Sequence, residues 1–152
     1  MNVLKTIFSN TVFLTVISGV IVFVLSQLIM ELLIKPLGRY NAIKAKIVYN
    51  LVYYANVYHN PIDLGTIGDK QSLPQNYNEA SDNLRKLAAE IAGFAEERSM
   101  LSIFIKTSRI SEVQGSLIGL SNGCKGRNID YLIEHNEKRE EIIKSKLHLK
   151  SI

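Results

Sequence analysis

The stretch that decides the fold runs from Val12 to Ile34 and reads VFLTVISGVIVFVLSQLIMELLI. Its single charge is Glu31, and from Thr6 to Met30 there is no Asp, Glu, Lys or Arg. At ~1.5 Å per residue such a helix is about 35 Å long, against a hydrocarbon core of about 30 Å. The run is long enough to span a bilayer with some tilt. The core helix of a soluble protein rarely needs so many consecutive apolar positions. A cleaved secretory signal fits poorly, because the apolar run exceeds the usual ~7–15 residues and no small-x-small cleavage site follows. The segment is therefore expected to stay as an uncleaved anchor, with residues 1–10 forming a short extracytoplasmic N-terminus and residues 11–35 the transmembrane helix.

Direction follows from the flanks. Lys5 stands alone before the run, whereas Lys35, Arg39, Lys44 and Lys46 crowd its far side. Basic flanks stay cytoplasmic, so the N-terminus is expected outside and the remainder inside, at a cell inner (plasma) membrane. The same four cations are candidate contacts for anionic lipid. The chain's net charge of +4 includes this collar, so it reads as membrane-surface charge and not as a nucleic-acid footprint.

One face of the anchor carries small and polar residues: Thr11, Thr15 and Gly19 at four-residue spacing, then Ser26 and Gln27. Small residues let helices approach closely in lipid, and an amide can hydrogen-bond across the contact. Two readings stand side by side: a helix-packing face, for a second copy or another membrane protein, or a lipid-facing helix whose hydroxyls bond to their own backbone. Glu31 precedes Lys35 by one helical turn, the spacing of an interfacial ion pair.

Beyond the anchor the pattern is helical throughout. Lys35-Pro36 is expected to kink or interrupt the helix. Residues 36–58 then form an amphipathic helix with Ile43, Ile47, Leu51, Tyr54 and Tyr58 on one face, expected to join the soluble bundle and not to lie on lipid. Residues 59–76 hold two of the three prolines and read as a long loop. Asn78 or Ser81 is a candidate cap for the next helix, whose stripe is Leu84, Leu87, Ala88, Ile91, Ala92 and Ala95 and whose end falls near Ser99. Met100 to Ile105 is a short apolar piece. A further helix is expected from Ser111 to about Asn122, built on Val113, Leu117 and Leu120. Gly115, Gly119 and Gly123 recur every four residues in it. Gly123 reads as a C-terminal cap and the other two as points of close approach. Asn128 caps a last helix, lined by Ile129, Leu132, Ile133, Ile143 and Leu147, with a polar gap over 136–140 and a largely solvated outer face. Glu134–Lys138 and Glu140–Lys144 have i,i+4 spacing. Residues 77–152 with 36–58 are thus expected to make one small cytoplasmic bundle, and the fold class is all-α.

No chemistry is written in the chain. GLSNGCKG, Gly119 to Gly126, lacks the Gly-Lys-Ser/Thr ending of a phosphate loop and follows a helix. His59, His135 and His148 lack a second ligand at metal spacing. Cys124, the single cysteine, forms no internal disulfide. Lys125 and Arg127 beside it would favour a thiolate, and a Cys124–His pair is conceivable, but an inert thiol past a helix end is the simpler reading. No catalytic, cofactor-binding or metal-binding residue is assigned.

The stretches FVLSQLIMELLIKPL (Phe23 to Leu37), YANVY (Tyr54 to Tyr58) and LIGLSN (Leu117 to Asn122) resemble a set of small bacterial single-pass membrane proteins without assigned function. The resemblance implies the same anchor, proline and helical tail, in a bacterial inner membrane or a phage-encoded relative. It implies no activity, cofactor or site. The expected function is a membrane-anchored interaction or regulatory module without catalysis of its own. The alternatives are a self-assembling, membrane-perturbing effector (toxin- or holin-like) and an enzyme of unrecognised type. Expected partners are the lipid bilayer, a second copy through the transmembrane helix, and a protein the sequence does not name.

Overall fold

A computed structural model describes residues 11–66, 73–97 and 107–149. Of these, 85% are helical, and the fold is all-α: one long apolar N-terminal helix followed by a helical bundle. Helix α1 spans Thr11–Ile29 and has no buried residue. It passes through a π-helical turn, Met30–Ile34, into α2, Lys35–Tyr53. The three pieces form one continuous helical run of 43 residues.

Of the two outcomes expected at Lys35-Pro36, a kink or an interruption, the interruption does not occur. Pro36 has no N–H to offer the carbonyl one turn back. The chain meets that loss by widening the turn before it. The Lys35 N–H bonds to Met30 O, five residues earlier, and the helix resumes in a shifted register. Glu31 and Lys35 pair across this turn, as their spacing implies.

The α2 stripe is buried as expected. Ile43, Ile47 and Leu51 are inside, and Tyr54 and Tyr58 join them beyond the helix end. After a turn at Tyr54, short helix α3 (Ala55–His59) carries Val57 and Tyr58 inward. The chain then enters α4 (Gln75–Glu96), α5 (Thr107–Gly123) and α6 (Ile129–Lys146). Ion pairs and hydrogen bonds show the pairing. Lys46 meets Glu90 at 2.6 Å and Arg39 meets Glu97, so α2 and α4 run antiparallel. Ser81 and Ser121 hydroxyls meet at 3.0 Å between α4 and α5. Lys146 meets Glu112 at 2.6 Å between α6 and α5. The result is an up-and-down bundle with a single apolar core. Its proximal end, where α1 leaves, gathers Tyr40, Phe94, Ile110 and Leu147, and its distal end gathers Tyr58, Cys124 and Asn136.

Several local expectations change. Helix α4 starts at Gln75, after Pro74, and neither Asn78 nor Ser81 caps it. Asn78 accepts from Lys125 Nζ at 2.9 Å, and Ser81 lies in the α4–α5 contact. Helix α4 ends at Glu96, with Glu97 extended, and α5 begins a turn early at Thr107. The loop after α3 is pinned: Ile62–Asp63 (β1) pairs in parallel with Lys125–Gly126 (β2). Sequence reading gives no sign of this ladder, because two residues carry no alternation. Asn128 caps α6 as expected, accepting from the Tyr131 N–H at 3.2 Å. Residues 1–10 and the Met100 to Ile105 piece lie outside the described residues.

Candidate functional site

The bundle contains a buried polar seam that the sequence presents as a solvated gap. Asn136 is 0% exposed. Its amide donates to Tyr58 O at 2.7 Å and Gly123 O at 2.9 Å. Arg139 Nη1 donates to Asn136 Oδ1 at 3.1 Å and to Gly119 O at 3.0 Å. One turn on, Glu140 takes His59 at 2.9 Å and Lys144 at 2.8 Å, with its side chain only 14% exposed. Asn136, Arg139 and Glu140 therefore form a packed polar layer between α3, α5 and α6, while Glu137 and Lys138 stay exposed, and every buried side-chain N and O is satisfied among the described residues.

This seam explains the glycines. A Cβ at Gly123 would overlap the Asn136 carboxamide, and one at Gly119 would overlap the Arg139 side chain. Gly123 is not a left-handed cap, since no glycine among the described residues has positive φ. It is the floor on which Asn136 sits. Gly119 admits a side chain, not a neighbouring backbone. Among the described residues nothing lies within 4 Å of a Cβ at Gly115, so the close approach expected there is not seen among them.

The seam holds no nucleophile. Burial pushes the Cys124 thiol up to about 11, with Lys125 pulling weakly the other way. Cys124 is fully buried, and its Sγ donates to Leu120 O at 3.3 Å. No histidine pairs with it: His59 meets Glu140, His135 meets Tyr131 O and His148 meets Arg109. Burial also raises the Tyr58 phenol, and the Glu140 carboxylate beside it raises it further. Cys124 in the folded chain is accordingly expected to resist a maleimide at neutral pH and to react at least tenfold faster in denaturant. Equal rates in the two conditions would contradict its burial. Among the described residues no three His, Cys, Asp or Glu side chains gather to hold a metal ion.

The candidate packing face of α1 is exposed throughout, and the Thr15 and Ser26 hydroxyls are satisfied locally. Thr15 donates to Thr11 O at 2.8 Å and Ser26 to Val22 O at 2.7 Å. Among the described residues nothing lies within 4 Å of a Cβ at Gly19. The Gln27 amide makes no hydrogen bond among the described residues.

The cationic collar is also altered by folding. Lys35, Arg39 and Lys46 each hold a carboxylate: Glu31, Glu97 and Glu90. These ion pairs are exposed, so the three cations share their charge with a carboxylate at the surface and are not withdrawn from it. Lys44 alone keeps no carboxylate partner among the described residues. It faces a cleft of about 210 Å³ at the proximal end, with Tyr40, Arg109, Ile110, Lys146, Leu147 and His148. Arg109 is the second cation there and donates to His148 Nε2 at 3.0 Å.

A second depression, of about 410 Å³, lies on the outer face of α2 and α4. It is lined by Lys46, Tyr49, Asn50, Tyr53, Tyr54, Asn83, Lys86 and Leu87. Tyr49 and Tyr53 are each 63% exposed and stack with centroids 5.6 Å apart. Tyr54 stands edge-on to Tyr53 at 4.8 Å, and its hydroxyl accepts from Asn83 at 2.6 Å. Tyr49 and Tyr53 thus form an exposed aromatic ridge beside Lys46 and Lys86.

No protein family, no curated protein and no solved structure matches this chain. The resemblance carried by Phe23 to Leu37, Tyr54 to Tyr58 and Leu117 to Asn122 finds no counterpart there and bears on layout alone.

Proposed function

We propose that the chain is a single-pass membrane protein whose cytoplasmic bundle serves as a tethered interaction module. One observation carries the reading. A helical run holds an 18-residue stretch with mean hydropathy 2.5 and no burial, and continues without a break into a packed bundle. Water would meet all of that apolar surface if no lipid covered it. The positive-inside rule counts Lys and Arg, and acidic partners matter little to it, so the paired collar still argues for a cytoplasmic bundle. The Tyr49–Tyr53 ridge is the partner face best supported by exposure and residue type.

Gln27 favours a second reading, self-assembly. An amide in hydrocarbon without a partner is costly, and a second copy offers it both a donor and an acceptor. Such an assembly would fit the membrane-perturbing effector. Photocrosslinking in membranes separates the two. A probe at Tyr53 is expected to give an adduct with a foreign protein, lost on Tyr49→Ser. A probe at Gln27 giving an adduct of two copies, with none at Tyr53, would favour the effector and overturn the module.

A further inference from the structure

The proximal cleft combines features that no internal role of the bundle explains. Lys44 comes from α2, Arg109 from the first turns of α5, and His148 from the end of α6. Among the described residues no acidic side chain lines the cleft, and of its cations Lys146 is paired, with Glu112. Its floor is apolar: Ile110 and Leu147 are buried, and Tyr40 packs on the core.

The backbone at His148 is a second, independent sign. His148 sits at φ 49°, the left-handed region, as the residue closing α6. Leu149 N bonds back to Lys144 O at 2.9 Å and His148 N to Ser145 O at 3.2 Å, the paired bonds of a Schellman ending. Glycine is the usual residue at this position because a Cβ there is strained. Here a histidine stands instead, and its ring holds the Arg109 guanidinium at the cleft. A strained residue kept where glycine would close the helix equally well points to use of the side chain.

Position selects the ligand. Leu37 is the last exposed large apolar residue of the helix leaving the anchor before the cleft. Tyr40 and Lys44 lie about 5 and 11 Å past it along the axis. Helical side chains lean toward the N-terminus, which turns Lys44 back toward the headgroup layer, itself about 5–7 Å deep. A cationic rim over an apolar floor matches a phosphate joined to a glycerol stem. A free inorganic anion would have no use for the floor.

We infer that the Lys44–Arg109–His148 cleft binds the phosphate of an acidic phospholipid headgroup and so fixes the bundle against the membrane surface. This rests on the membrane reading above. It differs from a diffuse collar in being one site built by three helices.

Native mass spectrometry of the full chain, released from non-ionic detergent, tests it with three probes: phosphatidylglycerol, phosphatidylcholine and inorganic phosphate. The expected result is one retained phosphatidylglycerol, at concentrations where phosphatidylcholine does not bind and which excess phosphate does not displace. Lys44→Gln with Arg109→Gln should weaken retention about tenfold or more, as loss of charge-assisted hydrogen bonds requires. His148→Gly relieves the strained ending, so it should melt no lower than the parent while retaining about threefold less lipid. That variant keeps the test decisive if the double variant folds poorly. Equal retention of the two lipids, displacement by inorganic phosphate, or full retention by the variants would each overturn the site. The readout does not depend on the bundle's sidedness, so failure of the cleft and failure of the anchor are told apart.

Discussion

Gly123→Ala should lower the melting temperature of the detergent-solubilised chain by about 10 °C. The added methyl falls on the Asn136 carboxamide, which is fully enclosed and has no vacant direction to move into. Overpacking of this kind costs about 1–3 kcal/mol. Displacing Asn136 also strips the buried Tyr58 and Gly123 carbonyls of their donor, at about 1–3 kcal/mol more. About 3 kcal/mol in a bundle of this size corresponds to roughly 10 °C. Gly115→Ala is the internal control. It adds the same methyl to the same helix in open space, and the helix propensity of alanine should raise stability by up to ~1 kcal/mol. Circular dichroism melts of the two variants check the pair. Similar shifts for both would mean that the Asn136 seat is not what Gly123 provides.

Val20→Lys with Val24→Lys should abolish membrane retention and leave the bundle folded. Each lysine at the centre of a spanning helix costs about 2.5–3.5 kcal/mol, so two approach ~6 kcal/mol. Neither position touches the bundle, since no α1 residue is buried. The expected outcome is a chain found in the soluble or aggregated fraction, with the cooperative melt of its bundle unchanged. Loss of that melt would show that α1 belongs to the core. Undiminished membrane retention would show that the apolar run is not what holds the chain there.

Legibility in the sequence followed the range of the interaction. Ile43, Ile47 and Leu51 are visible as a stripe because helical periodicity is local, and the Asn128 cap because a cap acts over three residues. Glu31–Lys35 and Glu140–Lys144 are visible for the same reason. Asn136 is not. A polar residue between apolar ones reads as a solvated gap, and its partners are backbone carbonyls, of which Tyr58 O lies 78 residues away. Carbonyls leave no trace in residue type. The same blindness hid the carboxylates that pair with Arg39 and Lys46, 58 and 44 residues distant. The proximal cleft needs three helix positions from separate elements, and only packing brings them together. The glycine series shows a mixed case. The spacing is real, but whether a glycine faces a neighbour or solvent depends on rotation about α5, which places Gly119 and Gly123 inward and Gly115 out.

The central claim is that residues 11–34 lie in lipid with the bundle on the cytoplasmic side. A fluorescent reporter that matures only in the cytoplasm, fused behind Ile152 and imaged in intact cells, tests both halves at once. Fluorescence confined to the cell rim is the result this account requires. Fluorescence spread evenly through the cell interior, or a full-length fusion that stays dark, would contradict it.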